Sequence, residues 1–281
     1  MSTTIDTTAF DRLREGFSGT LIEPDDPGYD EARTLFNVMI DRRPAVIARC
    51  AGVDDVIAAI GFARETGLPS AVRSGGHSVA GTSMCDRGIG IDVRPLKQIE
   101  IDPERRVARI GAGCTWGEFD RAAQVHGLAT TGGRVSTTGV AGLTLGGGSG
   151  WLERKHGLAC DNLLAVELVT ADGRTVRASD DKHPELLWAL RGGGGNFGVV
   201  TALEFRLHPL GPEVTAGLAL YPAAEGAALL ARWGDAMRSA PAEVGLAFAY
   251  LTAPEEPSLP AELHGQTVAA IAGLYAGPPD E

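Results

Sequence analysis

Short apolar runs alternate with segments of helical spacing through most of this chain. Ala45-Val46-Ile47-Ala48 has the continuous apolar character of a short buried strand. From Val53 to Arg64 the residues Val53, Val56, Ile57 and Ile60 fall at helical spacing, with Asp54 and Asp55 in the first turn, where carboxylates favour a helix. Pro69 to Val72 predicts the next strand, and Ile89 to Val93 and Val107 to Ile110 predict two more. Thr115 followed by Glu118 is a capping-box signature for a helix running to about His126. Leu163 to Thr170 and Thr175 to Ala178 flank Ala171-Asp172-Gly173-Arg174, and Asp-Gly between apolar runs predicts a hairpin. A helix from His183 to Leu190 and a long strand from Phe197 to Leu207 follow. Beyond Pro209-Leu210-Gly211-Pro212 the pattern reads strand (Val214 to Tyr221), amphipathic helix (Ala224 to Ser239), strand (Val244 to Leu251) and strand (Gln266 to Tyr275). An α+β chain is expected, dividing into residues 1–211 and 212–281.

Glycine content changes this picture. The chain has 38 glycines in 281 residues, about twice the average usage of ~7%. They lie among apolar strands rather than in repeats, so they read as places of close backbone approach. In Arg73-Ser74-Gly75-Gly76-His77-Ser78-Val79, Gly75 and Gly76 can take positive φ and admit an anionic group to the main chain, and Arg73 and Ser78 add donors. The adjacent His77 suits a covalent flavin tether; a plain Gly-Gly turn beside an exposed histidine is the other reading of this segment alone. Gly193-x-Gly195-x-x-Gly198 matches the dinucleotide pattern by count. It follows a helix and opens a strand, however, the reverse of the order that fingerprint needs. Gly146 to Gly150 lacks the lysine and hydroxyl of a Walker loop.

Four segments occur in order: Arg73 to Ser78; Gly132 to Gly142 leading into Gly146-Gly147-Gly148-Ser149-Gly150; Arg154 to Asn162 with its Gly157-Leu158 and Asp161-Asn162; and Gly192 to Thr201. Together, over roughly residues 40 to 210, they resemble the FAD-linked oxidases of the berberine-bridge-enzyme-like group in the vanillyl-alcohol-oxidase superfamily. The resemblance implies a PCMH-type, two-subdomain FAD-binding domain in 1–211, followed by the start of an antiparallel-sheet substrate domain in 212–281. It implies FAD held by Arg73, Ser74, Gly75, Gly76, His77, Ser78 and Val79, by Ser136, Thr137, Gly139, Val140, Gly142, Gly146 and Gly148, and near its adenosine end by Gly198 and Val200. His77 would be bonded to the flavin 8α-methyl. The position of a second, cysteinyl tether falls on Val135, so one covalent bond is expected, with Cys160 left open by the sequence.

The chemistry implied is hydride transfer from a C–H next to OH or amine of a small-molecule substrate, with electrons passing to dioxygen or another acceptor. The substrate class stays open among carbohydrates, alkaloid-like amines and secondary metabolites. The family's general base and closing N-Y segment would lie beyond Glu281, so no catalytic residue is carried over, and a noncatalytic flavin-binding fragment or scaffold is the alternative. Tyr221, Tyr250 and Tyr275 sit in strand-like runs and read as core or sheet surface.

The formal net charge of -11 argues against a nucleic-acid partner, which calls for a basic face. Residues 1 to 17 lack a basic, then apolar, leader and no later run suits a membrane span, so a cytoplasmic protein is expected. Cys50, Cys85, Cys114 and Cys160 are far apart and the six histidines form no zinc pattern, which fits reduced thiols and no metal.

Overall fold

The computed structural model describes residues 7–257 and 259–278. Helix α1 (Thr7–Gly16) turns Ala9, Phe10 and Leu13 into the core. Strand β1 (Thr20–Ile22) and a short helix α2 (Tyr29–Arg33) lead to β2 (Val46–Arg49). Helix α3 (Val53–Thr66) ends at Gly67, whose φ of 68° supplies the left-handed turn that closes a helix. Its buried face is Val56, Ala59, Phe62 and Ala63. This differs from the expected stripe: Val53 is exposed and Ile57 and Ile60 only flank the core. The helix is rotated because Phe62 packs on Phe10 of α1, with ring centroids 6.0 Å apart. Asp55 is buried, its carboxylate accepting the N–H groups of Ser18 at 2.8 Å and Ala51 at 2.7 Å.

Strands β3 (Ser70–Arg73) and β4 (Ile89–Asp92) complete a sheet of order β1-β2-β4-β3, in which β2, β4 and β3 run parallel and β1 antiparallel. Covered parallel strands carry continuous apolar runs, as Val46-Ile47-Ala48 and Ile89 and Ile91 do.

The chain then makes β5 (Ile99–Asp102), β6 (Val107–Gly111), α4 (Trp116–Gln124) and a two-residue strand β7 (Leu128–Ala129). The α4 cap forms as its residues predict, the Glu118 carboxylate accepting the Thr115 N–H at 2.8 Å and its hydroxyl at 3.0 Å. Short helices α5 (Val140–Leu145) and α6 (Glu153–His156) occupy the glycine-rich stretch, where the glycines masked any helical period. The predicted hairpin is β8 (Leu163–Val169) and β9 (Thr175–Ser179); α7 (Pro184–Leu190) and β10 (Val199–Arg206) follow. These strands form an antiparallel sheet of order β5-β6-β10-β8-β9. Trp116 and Phe119 of α4 pack on Phe205 of β10, with centroids 6.0 and 5.7 Å away.

A final strand of this part, β11 (His208–Pro209), pairs with β7. The remainder is a three-stranded antiparallel sheet of β12 (Thr215–Pro222), β13 (Val244–Thr252) and β14 (Thr267–Tyr275), with β14 central and helix α8 (Gly226–Ser239) beside it. No helix among the described residues is long and apolar enough to cross a membrane.

Candidate flavin site

β3 carries Arg73 to the carboxyl end of the parallel sheet, where the chain turns out into residues 74–80. Across from it runs the segment 136–140, laid along the start of α4 by Gly117 N–H to Ser136 O at 2.9 Å, Trp116 N–H to Thr138 O at 3.0 Å and Val140 N–H to Cys114 O at 2.9 Å. Two glycines let these segments touch. A Cβ on Gly75 would stand 2.2 Å from the Gly139 nitrogen, and one on Gly139 would stand 2.3 Å from the Gly75 nitrogen. Of the two glycines in the loop only Gly76 takes positive φ, at 72°. The expectation that both would do so is therefore corrected: Gly75 is required for contact with Gly139.

His77 lies at the mouth between the two segments. Its Nε2 is 3.0 Å from the Thr137 hydroxyl, while Nδ1 is 3.5 Å from that of Thr138. Its ring stacks on Phe36, centroid to centroid 4.2 Å. Partial burial holds its pKa below the ordinary value, opposed by a hydrogen bond that the ring donates to the Thr137 backbone, so the imidazole favours the neutral form. Ser74 donates to Ala112 O at 2.7 Å, and Ala112 N–H donates to Thr201 O at 3.0 Å, which ties the loop to the start of β10.

Other expected site residues have different partners. The buried Arg73 donates to the carbonyl of Ala32 and runs beneath Gly76, with its Nε lacking a partner. Burial, and then the neighbouring Arg94, pull its pKa down to about 10, so it stays charged at neutral pH. The Ser78 hydroxyl meets the Thr82 hydroxyl at 2.8 Å and N–H at 3.0 Å, holding the turn, and Val79 is exposed. Ser136 and Thr137 are exposed, Thr137 against His77, whereas Val140 is fully buried at the head of α5. Gly142 has open space where a side chain would be, and Gly146 nothing nearer than 3.6 Å. Gly148 packs on Ala159, where a Cβ would come within 2.6 Å, and Gly198 on the carbonyl of Val169, within 2.4 Å. Val200 is buried in the β10–β8 ladder opposite Leu168. Cys160 is buried, and Val135 is about half exposed.

The four glycine-rich segments converge. Gly147 and Gly148 carbonyls accept the N–H groups of Cys160 and Ala159, both at 2.9 Å, and Gly194 N–H donates to Leu145 O at 2.8 Å. Phe36 and Asn37, which clasp the His77 loop, were invisible in the sequence because they lie in a stretch with no period and no motif. A cavity of about 510 Å³ opens elsewhere, at the seam of Gly127, Lys155, Leu210 and Gly277. It contains none of the residues expected at the flavin, and its lining is mostly glycine and proline.

An anionic cofactor fits the His77 mouth. Among the described residues the N–H groups of Gly75, Gly76, His77 and Ser78 have no protein acceptor, and Gly76 is buried. Buried donors left unpaired are rare in folded proteins and mark a place for a ligand oxygen. The charge of Arg73 lies directly below.

Residues 44–179 match the family model described as FAD binding domain. Residues 44–179 are thus an FAD binding domain, of the kind that proteins named FAD-linked oxidoreductases carry. The chain is similar to (R)-6-hydroxynicotine oxidase of Paenarthrobacter nicotinovorans, 43% identical over 199 residues, or 71% of this chain and 43% of that protein. An uncharacterized FAD-linked oxidoreductase of Bacillus subtilis is 38% identical over 198 residues, covering 69% of this chain and 44% of that one. Among solved structures, 6-hydroxy-D-nicotine oxidase from Arthrobacter nicotinovorans superposes with a TM-score of 0.85 at 34% identity, covering 100% of this chain and 58% of its own. Berberine-bridge-enzyme-like 1 of Physcomitrella patens gives 0.85 at 28% identity, over 97% and 57%. The chain thus spans less than half the length of these curated relatives and a little over half of the solved neighbours. The fold expected from the four motifs, a PCMH-type flavin domain followed by antiparallel strands, is the one observed.

Proposed function

We propose that this chain is the FAD-holding part of an oxidoreductase, with the flavin domain in residues 1–211 and strands of a substrate domain beyond, and that His77 tethers the cofactor covalently. The observation that carries the reading is the row of unpaired N–H groups at Gly75 to Ser78, which includes His77, in a matched FAD binding domain. The N–H row and the buried Arg73 charge would bind the pyrophosphate. The exposed surface at Gly142 and Gly146, open where a side chain would stand, gives room for the ring. FAD supplies the redox chemistry, accepting a hydride from a substrate C–H next to OH or amine and passing electrons to dioxygen or another acceptor. The protein contributes binding, orientation and exclusion of water around the ring. No residue of this chain is assigned as the base that takes the substrate's proton, a role typically contributing about 10²–10⁴-fold. With Val135 at the position of a second tether and Cys160 buried, one covalent bond is proposed. A small-molecule substrate is the partner proposed, in a cytoplasmic setting.

Purified protein supplied with FAD is expected to be yellow and to keep its flavin through acid precipitation, whereas His77→Ala releases it to the supernatant. Equal release from both proteins would sink the tether. Anaerobic bleaching of the flavin by nicotine-like amines, sugars or alcohols would separate an oxidoreductase from a passive flavin binder.

A further inference from the structure

The imidazole of His77 is held from two sides, by Phe36, which belongs to none of the glycine motifs, and by Thr137, within the Gly132 to Gly142 segment. On one side, Phe36 is 66% exposed, yet its ring lies nearly parallel to the imidazole, 14° between planes. Two hydrogen bonds strap this segment to the loop: Phe36 N–H to Gly76 O at 3.1 Å, and the Asn37 amide to Val79 O at 3.0 Å. On the other side the Thr137 hydroxyl holds Nε2. A histidine on a glycine loop would otherwise explore several rotamers, and bond formation between two held groups is sensitive to small displacements, about 1 Å costing ~10²-fold.

We propose that Phe36 and Thr137 are positioning residues for covalent attachment of the flavin to His77, the stacked ring setting the imidazole plane and the hydroxyl its rotation within that plane. This rests on the reading of His77 as the tether. In the attachment one imidazole nitrogen bonds to the 8α-carbon, replacing one 8α C–H and one imidazole N–H. The two protons and two electrons released go to dioxygen, which leaves as hydrogen peroxide. Neither Phe36 nor Thr137 exchanges atoms in this step; they hold the nucleophile in line.

The test is a time course on the 281-residue apoprotein mixed with FAD in air, reading total flavin per chain by absorbance after desalting and covalent flavin by acid precipitation and peptide mass. Phe36→Ala and Thr137→Val are each expected to slow covalent incorporation, counted per flavin bound, by about 10-fold or more, and in Phe36→Ala total flavin bound and the thermal unfolding midpoint stay near wild type. Phe36→Tyr and Thr137→Ser, which keep the ring and the hydroxyl, are expected to restore the rate. Wild-type protein that binds flavin but never tethers it would instead bring down the tether reading beneath the proposal. Wild-type incorporation with equal rates in Phe36→Ala and Thr137→Val would overturn the positioning role alone. Parallel loss of total and covalent flavin in both variants, unrestored by the conservative changes, would also overturn it, by showing a role in binding or folding.

Discussion

The flavin domain and the C-terminal sheet of this chain are held by different forces. The main hydrophobic cluster runs from Ala9 to Leu207 and contains no residue beyond it. Among the described residues of the C-terminal part, β12 buries nothing, α8 buries only Gly226, and the buried apolar residues are Ala253, Val268, Ala269, Ala270 and Ala276. Small side chains remove little area from water, so this sheet gains little from the hydrophobic effect. Hydrogen bonds from the flavin domain compensate. The Arg154 guanidinium donates to the carbonyls of Pro241, Val244, Met237 and Ala240, at 2.9, 2.8, 3.0 and 3.0 Å, which includes the exposed C-terminal carbonyls of α8. Lys155 donates to Ala276 O at 2.9 Å and lies 3.6 Å from Glu243. Residues 212–281 carry nine acidic and two basic side chains, so two cations from the neighbouring domain also complement their charge. One part stands on its own core; the other depends on two adjacent side chains of the first.

The largest effect should come from the aromatic centre. Phe205→Ala empties space against Trp116 and Phe119 and is expected to cost about 3–5 kcal/mol, read as a shift in the urea midpoint of the whole flavin domain. A cost below that of an exposed substitution would show that this cluster is not the keystone of the core.

Arg154→Met comes next and separates the two parts. Four carbonyls lose a charged donor, at an expected cost on the order of 2–3 kcal/mol. Hydrogen exchange should rise in α8, β13 and β14 while the sheet of β6, β8 and β10 stays protected. Uniform loosening of both parts would break the distinction drawn above.

The seam should also respond to pH. His156 stacks on His208 at 3.8 Å, and the His208 Nε2 is 2.7 Å from the Asn162 carboxamide oxygen. Burial, then His208 and Lys155, lower the His156 pKa to about 4 from the ordinary 6.5. Folding therefore favours the neutral ring, and the unfolded chain takes up a proton that the folded one refuses. This contribution to stability is complete above pH 6.5 and declines as the pH falls towards 4. His156→Phe is expected to flatten the dependence of the thermal midpoint on pH in that window; an unchanged slope would assign the effect to other groups.

The smallest effect is expected at Leu218, exposed on β12. Leu218→Thr should change stability by no more than about 0.5 kcal/mol. A larger loss in urea titration would mean that this face is covered in solution.

Most elements of the flavin domain were legible because they obey a local rule. The Asp172-Gly173 hairpin, the Thr115–Glu118 cap and the apolar run at Val46 each depend on neighbours in sequence. The face of α3 was misread because Phe10, far off in sequence, decides which side of that helix is inside. The helix α5 was hidden because glycine has low intrinsic helix propensity and only packing shapes the segment. At the site, His77 and its glycines stood out by residue type, whereas the strap of Phe36 and Asn37 did not, since nothing in their spacing predicts a contact with residues 76–79.

By itself the amino-acid sequence determined the residue types available at the mouth: a histidine on a glycine loop and four glycine-rich segments in a set order. These are matters of residue type and local backbone freedom. Tertiary structure alone decided what the glycines serve. Gly75 and Gly139 admit each other's main chain, Gly76 turns over a buried arginine, and Gly142 leaves open space. The reason is physical: the absence of a Cβ permits close approach, and only the packing of distant segments determines what approaches.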